Sequence, residues 1–169
     1  MKNLYQELVE RIRGEVSDME AVVQRALLAW SHSQKLSSER DFFLDSVALN
    51  LHGFYSGTER IFEFLARHLD QNLPNDETWH RNLLWQMTQE IDDVRPALIS
   101  EESARGLDEF RRFRHLVRNV YTTSLVPDKL AGLMESLPVL WKKLKEELLA
   151  FADFLQEMAI AIDPDEKGC

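Results

Sequence analysis

From residue 3 to residue 32 an apolar side chain returns every three or four positions without interruption: Leu4, Leu8, Ile12, Val16, Met19, Val23, Leu27 and Trp30. That period places all of them on one stripe of an α-helix, whereas a strand would scatter them over both faces. A helix this long has to bury its stripe against other helices, so the feature commits the chain to a helical bundle. A second long segment, about Glu39 to Gln71, repeats the pattern with Phe43, Val47, Asn50, Phe54, Gly57, Ile61, Phe64 and His68, widened by Leu51, Tyr55, Phe62 and Leu65. Six glycines and five prolines are too few to turn the strands of a sheet protein of 169 residues.

The remaining breaks are legible from proline and capping chemistry. The polar run Ser31–Ser38 separates the first two helices, with Ser37 or Ser38 as the cap of the second. Pro74 lies in a loop, and a third helix is expected from near Glu77, capped by Asn75 or Asp76, through Trp79, Leu83, Leu84, Met87 and Ile91 to just before Arg95-Pro96. A fourth begins after Ser100 and runs to about Tyr121. Pro127 suits a helix start, Pro138 predicts a break with Ser136 as the next cap, and the last helix is expected over about Leu137–Ala161. The expectation is an all-α antiparallel bundle of four to five helices, one domain over residues 1–162 with 163–169 as a disordered tail. Phe43, Phe62 and Trp85 are expected in its core. Gly53 and Gly57 inside the second helix mark either a close helix approach or a tolerated kink, at about 1 kcal/mol each relative to alanine.

Charge and composition narrow the function. A net charge of −9 opposes general binding to phosphate backbones and anionic membranes. No apolar run reaches a membrane-spanning length of about 18 residues, and Met1-Lys2-Asn3-Leu4 opens no signal-peptide core. The one cysteine, Cys169, excludes an internal disulfide and a cysteine zinc site. These readings predict a cytoplasmic protein. Glu77-x-x-His80 has the spacing of half a di-iron site, but none of His32, His52, His68 or His115 has a glutamate three residues before it. No metal and no cofactor is therefore expected. No P-loop, dinucleotide fingerprint or Ser-His-Asp order is present.

Against that acidic background one segment inverts. Arg105 to Arg118 holds five arginines and His115 against Asp108 and Glu109, leaving a formal +3. Arg111, Arg114, Arg118 and Tyr121 fall at steps of three, four and three and share one helical face. His115 and Asn119 form a second strip beside it, and Phe110, Phe113, Val117 and Val120 make the face that enters the bundle. Such a guanidinium stripe needs acidic partners or a phosphate ligand, for which the arginine fork is well shaped. The other basic run, Lys142, Lys143 and Lys145, lies among glutamates and reads as a solvated face.

The run Arg114-His115-Leu116-Val117-Arg118-Asn119-Val120-Tyr121 resembles the motif of HEPN proteins, and specifically the HepT-like branch: arginine, four residues, histidine, one residue, tyrosine. Arg114 takes the arginine place, polar His115 follows it, and Tyr121 takes the tyrosine place. Asn119 stands where the histidine is expected. The segment Asp45–Arg67, with Leu51-His52-Gly53-Phe54-Tyr55-Ser56-Gly57-Thr58-Glu59-Arg60-Ile61-Phe62, and the run Trp79-His80-Arg81-Asn82-Leu83-Leu84 are also similar to that group, so the likeness spans roughly residues 40–160. The resemblance implies a homodimeric, metal-independent endoribonuclease toxin, with two motif helices building an RNA cleft. It also implies a minimal nucleotidyltransferase antitoxin as partner, attaching AMP to Tyr121.

First principles assign roles within that picture. Cleavage of RNA by its own 2′-hydroxyl needs charge stabilisation, for which Arg114 and Arg118 serve, with Arg111 and His80 as further RNA contacts. It also needs proton transfer, worth about 10²–10⁴-fold. Asn119 cannot titrate, so a weakened enzyme is expected, with His115, one turn earlier, as a substitute. Two other functions fit the same residues: a non-catalytic module that binds nucleotide, RNA or a nucleotidyltransferase, and a helical scaffold using the arginine stripe at a protein interface. Glu59, beside Ile61 and Phe62, is expected in a paired structural role.

Overall fold

In the computed structural model, which describes residues 3–35, 38–119 and 127–162, five helices follow one another: α1 (Leu4–Lys35), α2 (Arg40–His68), α3 (Trp79–Gln86), α4 (Glu101–Asn119) and α5 (Pro127–Ile162). The architecture is the all-α bundle expected from the apolar periods. The α1 stripe is buried from Leu8 through Ala29 and packs on α2 and α5. The α1 start is a reciprocal capping box: Asn3 Oδ1 accepts from the Gln6 amide at 2.9 Å, and Gln6 Oε1 accepts from the Asn3 amide at 3.2 Å.

Pairings across the bundle set the helix directions. Arg60 pairs with Glu15 and Thr58 Oγ1 donates to Met19 Sδ, so α1 and α2 are antiparallel. Asn3 reaches the Ala159 carbonyl and Arg13 reaches Asp153, so α1 and α5 are antiparallel as well. On α4, Phe110 meets Phe54 edge-to-face at 5.3 Å and Arg114 reaches Glu59, so its contacts with α2 advance in the same sense along both helices. The long connection through α3 makes that direction possible. The buried apolar residues form one contiguous cluster drawn from all five helices.

Three local expectations are corrected. The third helix stops at Gln86 rather than before Arg95. Arg95 is buried and turned inward; it forms a two-pronged ion pair with Asp70 at 2.6 and 2.8 Å and takes the carbonyls of Gln86, Gln89 and Pro96. A helix continued through Gln89 would have needed those carbonyls for its own ladder. The chain instead makes an isolated bridge between Ile91 and Arg95, with Asp93 at φ 61°. Secondly, Pro138 does not break the last segment: α5 runs unbroken through it, and Ser136 Oγ donates back to the Leu133 carbonyl instead of capping. Pro138 itself is exposed, while Leu130, Leu133, Met134, Leu137, Leu140, Trp141 and Leu144 are buried on either side. Continuous burial outweighs a proline cost of about 3 kcal/mol. Thirdly, Glu39 occupies the α2 cap without a side-chain cap bond, so Ser38 is not the cap; Ser37 lies outside the described residues.

The α4 start matches its expected place, with Ser100 Oγ accepting from the Ser103 amide at 3.2 Å. Phe62 is fully buried, whereas Trp85 is partly buried against the core and Phe43 stacks on His32 at 5.1 Å. A side chain at Gly57 would put its Cβ 2.9 Å from Met19 Cγ, so Gly57 marks a close approach; at Gly53 the nearest atom, on Val22, is at an ordinary 3.6 Å.

Candidate functional site

The site lies where α2, α3 and the middle of α4 converge. Phe110 and Phe113 are buried and Val117 is partly buried, so these three of the expected apolar face do anchor α4; Val120 lies outside the described residues. That rotation leaves Arg111 and Arg114 at the border of the core, as the stripe required. Glu59 comes from the neighbouring turn of α2, one turn beyond Tyr55, and its side chain is only 4% exposed. A carboxylate this buried has to be paired. Its Oε2 meets His80 Nδ1 at 2.7 Å and its Oε1 stands 3.5 Å from Arg114 Nη1.

One carboxylate thus joins two residues 34 positions apart in sequence, His80 and Arg114. The His80 ring is further held by Trp79, stacked at 3.6 Å between ring centres. Beneath Glu59 lies the fully buried Tyr55. Burial first, and then the charge of Glu59, pushes its phenol far above the usual tyrosine range, so it stays protonated. Among the described residues neither its hydroxyl nor the buried Nε of Arg114 has a hydrogen-bond partner within 3.5 Å.

Three other arginines of the segment are paired as well. Arg111 Nε donates to Asp108 at 2.7 Å, Arg112 meets Asp108 at 2.9 Å, and Arg105 meets Glu101 at 3.2 Å. Of the two solutions open to a guanidinium stripe, acidic partners account for the four arginines 105, 111, 112 and 114. His115 is exposed on the adjoining strip. The side chains of Arg118 and Asn119, and all of Tyr121, lie outside the described residues. Among the described residues no group of three or more His, Cys, Asp or Glu side chains could hold a metal ion, and no helix is long and apolar enough to cross a membrane. A separate concavity of about 340 Å³, bordered by Leu98, Glu147 and Phe151, contains none of the motif residues.

A family model described as HepT-like protein matches residues 46–155, more than half of the chain. The chain belongs to the HepT-like family. No curated protein and no solved structure matches it. The matched span of this HepT-like chain takes in α3, α4 and most of α2 and α5, and so contains Glu59, His80 and Arg114. Sequence reasoning had placed Arg114 and His80 in the site and Glu59 in a pair, but had not connected the three. It passed over Tyr55 and Trp79 as site residues. The available signal was the position of Glu59 itself, an ionisable residue at i+4 from Tyr55 and i−3 from Phe62 on the apolar face of α2.

Proposed function

We propose that this HepT-like protein is the toxin-type component of a pair with a minimal nucleotidyltransferase. In this reading it acts as a homodimer, binds RNA through Arg111, Arg114 and Arg118, and has metal-independent endoribonuclease chemistry that Asn119 weakens. The observation that carries the reading is Arg114. It stands at the motif position of a family member, partly buried, oriented by a buried carboxylate, with a nitrogen that has no partner among the described residues. A guanidinium held in place before substrate arrives stabilises developing phosphorane charge at little reorganisation cost. Tyr121 is the residue the nucleotidyltransferase modifies with AMP.

A second reading, a non-catalytic module for RNA, nucleotide or a protein partner, is favoured by one specific observation: Arg105, Arg111, Arg112 and Arg114 already face carboxylates. The two readings separate in an assay of RNA cleavage and RNA binding. Arg114→Ala should abolish both while circular dichroism shows an intact bundle. Asn119→His should raise cleavage if the site is a weakened nuclease and leave it at zero if it only binds. Expression with the nucleotidyltransferase should relieve toxicity and add AMP to Tyr121. An adduct that persists in Tyr121→Phe would remove that assignment.

A further inference from the structure

We infer that Glu59 holds His80 as the proton-handling imidazole of this site, with Nε2 as the base that takes the 2′-hydroxyl proton of bound RNA. The inference rests on the ribonuclease reading above and names the group that would titrate in it.

The geometry argues it in three steps. First, the Glu59 carboxylate is buried and His80 Nδ1 lies 2.7 Å from it. A carboxylate is an acceptor, so Nδ1 carries a proton, and in the neutral form of the ring the lone pair is on Nε2. Nε2 is on the ring edge away from that buried oxygen, and the imidazole is 29% exposed, so a ligand can reach it. Second, the same carboxylate orients Arg114. Base and charge-stabilising group are therefore referenced to one fixed point, the requirement for acting on adjacent atoms of one phosphodiester. Third, the Trp79 ring stacked on His80 restrains its rotation.

The step balances without a co-reactant. The 2′-oxygen bonds to the adjacent phosphorus while its proton passes to His80 Nε2. The bond from phosphorus to the 5′-oxygen breaks, and that oxygen leaves with a proton from solvent. The products are a 2′,3′-cyclic phosphate and a 5′-hydroxyl end, and His80 returns its proton to solvent. Arg114 holds charge on the non-bridging oxygens. The charged group against the imidazole is Glu59 from α2; Arg114 from α4 meets the same carboxylate, and Tyr55, which feels the charges of Glu59, Arg111 and Arg114, lies behind it.

The test uses the full chain, a single-stranded RNA oligonucleotide and its all-deoxy counterpart, which binds but has no nucleophile. Wild type should cut the RNA, and His80→Asn, which keeps a donor for Glu59 but cannot titrate, should cut about 10²–10⁴-fold more slowly. It should still bind the deoxy strand, with the loss falling mainly on kcat, and lose the rising limb of the pH–rate profile. Nitrogen-15 correlation spectra should show the Nδ1–H tautomer of His80 in wild type and its loss in Glu59→Gln, a readout independent of cleavage and of any folding change in the histidine variant. Cleavage by His80→Asn at the wild-type rate, or an Nε2–H tautomer, overturns the inference while the ribonuclease reading stands. Inert wild type with active Asn119→His overturns it too, because His80 is then present and not sufficient. If neither protein binds or cuts RNA, the ribonuclease reading falls and the inference falls with it.

Discussion

Glu20 illustrates how a single side chain makes this bundle sensitive to acid. The indole N–H of Trp141 donates to its carboxylate and Lys145 stands 3.7 Å away, tying α1 to α5. The Trp141 hydrogen bond first, aided by the Lys145 charge, holds the Glu20 carboxyl below its ordinary value. A lowered folded-state value means the contribution is present above the unfolded value, near 4.5, and is lost as pH falls through the lowered one. The side chain is 39% exposed, so solvent screens the pair and the contribution is below about 1 kcal/mol. Glu20→Gln should therefore lose little stability at neutral pH and show a flatter decline through that acid window. Urea titrations at a series of pH values measure it; parallel curves for both proteins would remove Glu20 from the account.

At the scale of the element, glycine marks where helices touch and where they do not. Gly57 faces the buried Met19, with no room for a methyl group, whereas Gly132 on α5 has nothing within 4 Å. Gly132→Ala should stabilise by about 0.5–1 kcal/mol, the ordinary helix-propensity gain. Gly57→Ala gains the same propensity but must displace Met19, and overpacking of about 1–3 kcal/mol makes the net effect destabilising. Thermal melts of the two variants should shift in opposite directions. Equal upward shifts would mean the α1–α2 contact yields easily. The sequence presented these residues only as glycines inside helical patterns. Their difference depends on a neighbour 38 residues away in the case of Gly57 and on open solvent in the case of Gly132. Pro138 shows the same limit, because a local breaker was overruled by burial on both sides of it.

For the whole molecule, the proposed function makes the arginine stripe of α4 one half of a cleft that a two-fold pairing of α4 with its copy would complete. The expected outcome in light scattering is a dimer at micromolar concentration. A monomer there would sink the composite cleft and leave the Glu59–His80–Arg114 cluster as a site within one chain. The experiment thus separates a site that needs two copies from one that needs only α2, α3 and α4.

The order of the first four helices and the facing of α4 were legible from sequence because apolar period acts locally, whereas Pro138 misplaced the start of the last helix. Leu8, Ile12 and Val16 fall on one side of a helix whatever lies opposite. The arginines of α4 were legible for the same reason, since Phe110 and Phe113 set the rotation of the helix that carries them. Tertiary structure decided the partners. Arg95 reads in sequence as a residue before proline, yet it ends α3 because Asp70, 25 residues earlier, draws it into the interior. Glu59 reads as one carboxylate among many, yet packing strips it of water and leaves it His80 and Arg114 as its compensation. Periodicity says which side of a helix is buried; the charge a buried group meets there depends on which helix the fold lays against it.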